Sequence, residues 1–517
     1  MTPPSDGGPT RGPAEERAAP LEMSPEEFRR LGHRLVDRIA GFLGDIRHEP
    51  LTPGETPAQL RPLVGRPPLP AEGTPSDRLL EDATELVLGH SLRNGHPRFM
   101  GYITSSAAPI GMLADLLAAA VNPNVGGWEL SPVASEIEAE TVRWVAELVG
   151  YPVDCGGLLV SGGNMANFLC FLAGRRAMLG EGFRTAGLAG AGVGRLRVYV
   201  SEGTHTWIQK AADVFGMGTD SIRWIPADDR HRMRVDRLRE SIRTDRAAGD
   251  QPMMVVGAAG TVSTGAVDPI RALAAVCREE KLWFHVDGAY GAPAAVLPDA
   301  PDDLKALRLA DSLAVDPHKW LYAPLEAGCV LVRDAHRLPD AFAYHPTYYH
   351  FETEGEEPPI NYYELGLQNS RGFRALKVWL GLRQAGRDGY ARLIGEDCRL
   401  AAMLHDAVAR HPELEAMSLG LSIATFRYVP AGIAAGAADV ETYLDALNEA
   451  LLERLKTGGE LFVTNAQVRG RFALRACIVN FRTTETDIAA IPDIVARAGR
   501  ELDAELRPGP LRARATR

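Results

Sequence analysis

The chain has 517 residues, 45% hydrophobic and 24% charged, an ordinary balance for a folded protein with a large core and two or three domains. Its net charge of −11 lacks the basic excess of a nucleic-acid binder. The best apolar run, Ala107 to Val121, is short for a bilayer and carries Asp115, so no membrane partner is expected; nor does an apolar core follow a basic start, so no signal peptide is expected.

In chain order, residues 1–22 are rich in Pro, Gly and charge and are expected to form a disordered tail. Ser24-Pro25-Glu26-Glu27 then reads as a helix start. Ser24 can cap, Pro25 suits the first helical position, and Glu27 completes a capping box. Phe28, Leu31, Leu35, Ile39 and Phe42 continue at helical spacing. This apolar face has no partner within its segment, which predicts packing on a second subunit or on the large domain. Pro50 to Pro75 reads as an extended connector, and Ser76 as the cap of a helix from Asp77 to Gly89. A further helix is predicted over Pro109 to Val121.

Leu158 to Val160 is strand-like and leads through Ser161-Gly162-Gly163-Asn164 into a helix reaching Arg175. A strand, a glycine turn and a helix start make an anion site, because free amides and the helix dipole both favour phosphate. No lysine follows the glycines, so this is not a Walker loop. Gly190-Ala191-Gly192-Val193-Gly194 precedes a strand instead of following one, the wrong order for dinucleotide binding. Strand-like runs then end near Ser201, Thr261, Asp287 and Asp316, with helical stretches between them such as Asp236 to Arg246 and Ile270 to Glu280. This alternation predicts an α/β fold with a mainly parallel central sheet and helices on both faces. Tyr344 to Pro359 has no periodicity and reads as a long functional loop. A helix from Ala375 to Gly386 is expected to link to a smaller C-terminal α/β domain, with strands at Ser422 to Tyr428 and Arg471 to Phe481. The basic tail from Pro508 is expected to be loose. Six cysteines without a C-x-x-C pair fit reduced thiols and a cytoplasmic location.

The chemistry gathers at strand ends. Lys319, in Asp316-Pro317-His318-Lys319-Trp320, lies just past an apolar run from Leu307 to Ala314. A lysine in a dry pocket loses its proton more easily and can condense with an aldehyde. Asp287 ends the run Leu282 to Asp287, 32 positions earlier. One strand, a crossover and the next strand fit that gap, and ligands bind outside the carboxyl ends of such strands. A carboxylate beside a pyridine nitrogen keeps the ring protonated, as pyridoxal phosphate chemistry requires. His205 stands at a third strand end, where its ring can stack on a cofactor. A rival reading takes His285-x-Asp287 as part of a non-heme iron site. It leaves Lys319 and the phosphate-like turn unexplained. His345 and His350 lie on a long loop, a poor cage for a metal, so no metal is expected.

Through DPHKW at 316–320 and HVDGAY at 285–290, the chain resembles the group II pyridoxal phosphate-dependent decarboxylases, the family of aromatic-L-amino-acid decarboxylase. The resemblance spans about Met23 to about residue 500. It implies a type I aminotransferase-like fold and pyridoxal 5'-phosphate joined to Lys319, with Asp287 on the pyridine nitrogen. It further implies His205 over the ring and Ala289 on the opposite face. Gly163, Asn164, Thr261 and His318 are implied as cofactor contacts, and Tyr102 and Trp128 as substrate contacts. The stretch Asn122 to Trp128 resembles one donated across a dimer interface, so a homodimer with shared sites is implied.

Domain boundaries on this basis are 23–100 for an N-terminal helical dimerisation segment, 101–376 for the large domain and 377–517 for the small one. Tyr348 falls on the family's catalytic tyrosine, which protonates Cα after CO2 leaves. Members with phenylalanine there tend to make an aldehyde. The expected activity is therefore decarboxylation of an L-amino acid, an aromatic one, to its amine. Acidic or basic substrates, an aldehyde synthase and a transaminase are the alternatives. Asp316 departs from members that carry Asn; it is expected to face a backbone amide or the His318 ring and is not counted as a ligand.

Overall fold

The computed structural model describes residues 19–65, 67–190, 192, 194–344, 359–433 and 439–511, and these divide into two compact units, one up to Leu92 and one from Arg93. In the first unit, helices span Pro25–Asp45, Pro57–Val64 and Ser76–His90. Ser24 caps the first as its sequence predicts, its Oγ accepting from the Glu27 amide at 3.2 Å. Asp77 receives a bidentate pair from Arg30 (2.7 and 2.8 Å) and a third bond from Arg34 (3.0 Å), which ties the first helix to the third. Two expectations change here. The proline-dense connector contains the helix Pro57–Val64, started by Thr56 and Gln59 as a reciprocal capping box. Ser76 is the first helical residue and Pro75 the cap, since proline's fixed φ suits a helix entry.

In the second unit, strands β1 (Gly156–Val160), β2 (Leu196–Ser201), β3 (Ile222–Ile225), β4 (Gln251–Ala258), β5 (Trp283–Asp287), β6 (Ser312–Val315) and β7 (Gly328–Val332) form a sheet. Among the described residues its order is β1-β7-β6-β5-β4-β2-β3. β3, β2, β4, β5 and β6 pair in parallel, while β7 is antiparallel to both β6 and β1. β1 therefore runs with the parallel strands and β7 alone is reversed. The run read as one strand approach, Leu307 to Ala314, is divided: Leu304–Leu309 is a 3-10 helix and β6 begins at Ser312.

Both faces of the sheet are dry, as near-continuous apolar strands require. Alternate residues go to opposite sides. Tyr199, Val255, Phe284, Val286 and Leu313 share one core with Val145, Leu238 and Leu273 of the helices Pro132–Leu148, Val235–Ala247 and Ile270–Glu280. Val198, Val200, Met254, Val256 and Trp283 share the other with Leu169 and Trp207 of the helices Gly163–Leu179 and Trp207–Val214.

The predicted linking helix continues well past Gly386, as Ala375–Arg410, interrupted only at that glycine, whose φ of 65° lies in the left-handed region. Beyond it, β8 (Leu414–Gly420), β9 (Ile423–Tyr428), β10 (Thr464–Val468) and β11 (Arg471–Cys477) form an antiparallel sheet in the order β10-β11-β9-β8. Helices Val440–Thr457 and Glu485–Leu506 cover it around a separate core that includes Leu447, Leu474 and Ile491. The tail expected to be loose keeps Leu511 buried.

Candidate active site

Parallel strands release their chain at one edge of the sheet, so the residues after β1, β2, β4, β5 and β6 meet there. They enclose a cavity of about 350 Å³. Lys319, Asp287, His205, Ala289, Thr261, His318, Gly163 and Asn164 all line it. Ser161, Gly162, Ile103, Val262, Tyr290, Asn167 and Asp316 line it as well.

Asp287 lies on the same face of β5 as Trp283 and His285, because strand residues two apart share a face. Its Oδ2 accepts the indole N–H of Trp207 at 2.8 Å and its Oδ1 the Ala289 amide at 3.1 Å. His205 is anchored by Nδ1, which accepts the Trp207 amide at 3.2 Å, so a neutral ring carries its proton on Nε2. Desolvation holds this imidazole below its ordinary pKa; Asp287 opposes the shift and Lys319 reinforces it. Sequence reading missed Trp207. Its signal is position: two residues after His205, it opens the helix that covers the Asp287 face of the sheet.

His285 is spoken for. Its Nε2 sits 2.7 Å from Asn167 Oδ1 and its Nδ1 2.9 Å from Ser312 Oγ, which also accepts from Trp283 Nε1 at 2.9 Å. Burial pushes its pKa down to about 4, so the ring is neutral and structural. With both nitrogens occupied inside the core, it offers nothing to an iron ion.

The turn after β1 begins the 17-residue helix Gly163–Leu179. A Cβ on Gly163 would lie 2.6 Å from Asp316 Oδ2 and 3.2 Å from Ala289 Cβ, so the backbone comes closer to the cavity than any side chain allows. Amides, a helix start and a lysine fit a phosphorylated aldehyde. Gly163→Ala is expected to weaken pyridoxal phosphate binding by about 1–3 kcal/mol, the usual cost of overpacking, in an equilibrium titration of the apoprotein. Unchanged affinity would remove this turn from the site.

Lys319 projects from the short helix Pro317–Trp320 that follows β6. Trp320 Nε1 and the Tyr322 hydroxyl both donate to Asp397 Oδ2, at 2.8 and 2.7 Å, and Trp320 stacks on Tyr290 with centroids 4.9 Å apart. Burial raises the Asp397 carboxyl to about 7. The folded chain thus keeps a proton that the unfolded chain loses near pH 4. This contribution to stability is complete below that pH and is lost as pH rises through about 7. Asp397→Asn keeps the acceptor without the charge. It should gain about 2–3 kcal/mol over the wild type between pH 5 and pH 8, seen in denaturant midpoints at the two pH values.

Thr261 is buried in the turn after β4, its Oγ1 3.0 Å from Thr264 Oγ1. His318 Nδ1 lies 2.8 Å from the Ala327 carbonyl, and desolvation holds its pKa down against the pull of Asp316. Asp316 faces the His318 ring, one of the two expected neighbours, and also pairs with Lys319, which was not expected. Its Oδ2 lies 3.0 Å from Lys319 Nζ, with His318 Nδ1 at 3.6 Å from Oδ1, because residues three apart on one helical turn share a face.

Two implied substrate residues do not line this cavity. Tyr102 has a φ of 52° that turns its ring outward, 59% exposed, and Ile103 takes the place at the wall. Trp128 donates its indole N–H to Glu136 at 2.7 Å. Tyr348, His345 and His350 lie outside the described residues.

A sheet with one reversed strand, its ligand cavity at the strand ends and a lysine just beyond β6 has the type I architecture of pyridoxal phosphate-dependent enzymes. The solved Oryza sativa TDC with PLP and tryptamine superposes with a TM-score of 0.84 at 28% identity, over 94% of this chain and all of that one. The family profile described as the pyridoxal-dependent decarboxylase conserved domain matches residues 57–429, and the chain belongs to that family. It is 31% identical to the aromatic-L-amino-acid decarboxylase of Bacillus atrophaeus, covering 91% of this chain and 95% of that protein. A phenylacetaldehyde synthase of Petunia hybrida is 28% identical over 88% of this chain and 91% of its own. The chain is thus a pyridoxal phosphate-dependent amino acid decarboxylase. Among the described residues, no helix is long and apolar enough to cross a membrane.

Proposed function

We propose that the substrate is an aromatic L-amino acid, converted to its amine and CO2. The observation that carries this reading is the convergence of Lys319, Asp287 and His205 on one cavity in a chain of this family. Likeness to a decarboxylase named for aromatic amino acids supports the substrate class.

Bound at this cavity, pyridoxal phosphate supplies a protonated ring that takes up the electron pair left when the carboxylate departs. The residues divide the remaining work. Lys319 would hold the cofactor's aldehyde covalently. Asp287, held by Trp207 and the Ala289 amide, would place its carboxylate on the ring nitrogen. His205 would cover one face of the ring and Ala289 the other, both lining the cavity. Gly163, Asn164, Thr261 and His318 contact the cofactor, and the amides at the start of the helix Gly163–Leu179 take the phosphate. Tyr348 or His205 returns one proton to Cα, which balances the loss of CO2.

The active form is a homodimer, with residues 23–100 as its dimerisation segment, 101–376 as the large domain and 377–517 as the small one. The exposed Leu113, Leu116, Leu117 and Val121 of the helix Pro109–Val121 support a partner there. In that dimer Tyr102 and Trp128 serve substrate binding across the interface. All six thiols are unpaired and pushed up in pKa by burial, which supports a reducing, cytoplasmic setting.

Purified protein loaded with pyridoxal phosphate should yield amine and CO2 from tryptophan, tyrosine or phenylalanine in a mass-spectrometric panel. Amine only from acidic or basic amino acids would overturn the substrate class. Tyr348→Phe should shift product from amine towards aldehyde. Unchanged amine output would remove Tyr348 from the protonation step.

A further inference from the structure

The pair between Asp316 and Lys319 poses a chemical problem. Asp316 is 1% exposed, its Oδ2 is 3.0 Å from Lys319 Nζ, and its Oδ1 has no hydrogen-bond partner. The same carboxylate lies against Gly162 and Gly163, where a Cβ would come within 3.9 Å of Oδ1 and 2.6 Å of Oδ2. An ammonium cannot attack an aldehyde, so Lys319 must lose a proton before it can hold the cofactor. A carboxylate left ionised beside a phosphate at that turn would repel it.

We propose that Asp316 is the local proton acceptor for Lys319 during cofactor loading. One proton crosses from Nζ to Oδ2: an N–H bond breaks, an O–H bond forms, and the pair's summed charge stays at zero. The neutral amine is then the form that condenses with an aldehyde with loss of water, and the neutral carboxyl no longer repels phosphate. The proposal rests on Lys319 as the attachment residue.

Among the described residues, the charged and titratable groups around the pair are His318, His205, Asp287, Tyr290, Lys377 and Cys329. His318, on the same short helix, lies 3.6 Å from Oδ1. His205 and Asp287 face Lys319 from the ends of β2 and β5, and His205 is held low in pKa by desolvation. Lys377 acts on His318 from the long helix, and Cys329 of β7 is a buried thiol with its pKa pushed up. Glycines 162 and 163 add no charge from the β1 turn.

The test follows loading of the apoprotein with pyridoxal phosphate by absorbance, from pH 6 to 9, with proton release read by a pH indicator in weak buffer. Wild type is expected to load at a rate nearly independent of pH. In Asp316→Asn, Lys319 must discharge its proton to water. Its loading rate should rise about tenfold per pH unit, with one more proton released per site. Asp316→Ser should behave as Asp316→Asn does, which guards against a fault in folding of either variant. Superimposable pH profiles and equal proton release in wild type and both variants would overturn the proposal. Borohydride reduction and peptide mapping accompany the measurement. Label away from Lys319 refutes the attachment, whereas label on Lys319 with superimposable profiles refutes only the role of Asp316.

Discussion

Lys319→Ala is expected to lower turnover by about a thousand-fold or more, as loss of a covalent anchor and proton carrier implies. The variant should still bind pyridoxal phosphate, since the turn at Gly163 and the Asp287 carboxylate remain, but borohydride should no longer fix it to the protein. A second effect follows from the pairing. Removing the ammonium leaves the Asp316 carboxylate buried against Gly163 without a cation. The apoprotein should lose about 1–3 kcal/mol, less than a wholly buried pair would cost because the Lys319 side chain is 22% exposed. Lys319→Ala with Asp316→Asn should regain most of that stability and none of the turnover. Normal turnover in Lys319→Ala would sink the assignment of the site.

Arg371→Ala should be the most destabilising single change, at about 3–5 kcal/mol. Arg371 and Glu138 form an ion pair whose side chains are 1% and 0% exposed. The guanidinium also donates to the carbonyls of Val125 (2.7 Å) and Leu159 (2.6 Å) and lies 4.7 Å over the Tyr362 ring. Glu138 Oε1 accepts the Leu159 amide at 2.8 Å. One pair thus ties the segment around Val125, strand β1 and the helix Pro132–Leu148 together, next to the turn at Gly163 proposed to take phosphate. Truncating the arginine strands a buried carboxylate and two carbonyls. An apolar replacement of both partners, Glu138→Leu with Arg371→Met, should cost less than Arg371→Ala alone. Denaturant midpoints of the two variants decide it; equal or greater loss in the double variant would mean that the carbonyl contacts, not the charges, dominate. Affinity for pyridoxal phosphate should fall in Arg371→Ala as β1 loosens.

Much of this could be read from sequence because the signals are local. The apolar runs ending at Ser201, Asp287 and Asp316 are buried on both faces, and a strand buried so must be nearly continuous in apolar residues. Polar groups at the ends of such runs stand out. Lys319 alone reads as a surface lysine at a strand end; it stands out as a candidate only together with Asp287 and His205, because βα alternation makes the strand ends converge. The start of the first helix was legible from Ser24 and Pro25 for the same local reason.

What the sequence could not decide depends on partners distant along the chain. Trp207 was missed in the sequence, yet its indole N–H fixes Asp287, 80 residues away. Asp397 lies beyond the end of the predicted linking helix and carries no signal in the sequence, yet it lies beneath Trp320 and Tyr322 and takes both of their donors. The outward turn of Tyr102 depends on one backbone angle that no pattern announces. Asp316 could be placed near the phosphate turn by adjacency, but which cation answers its charge is a matter of 3 Å. Sequence by itself determined where the strands that end in polar groups lie and which of those groups are candidates, Lys319, Asp287 and His205, because periodicity and end residues are encoded within a few positions; the short β3 and the reversed β7 carry no such marker. Only the tertiary structure decided which buried charges and donors meet, because a hydrogen bond is settled by ångströms between segments that the chain keeps far apart.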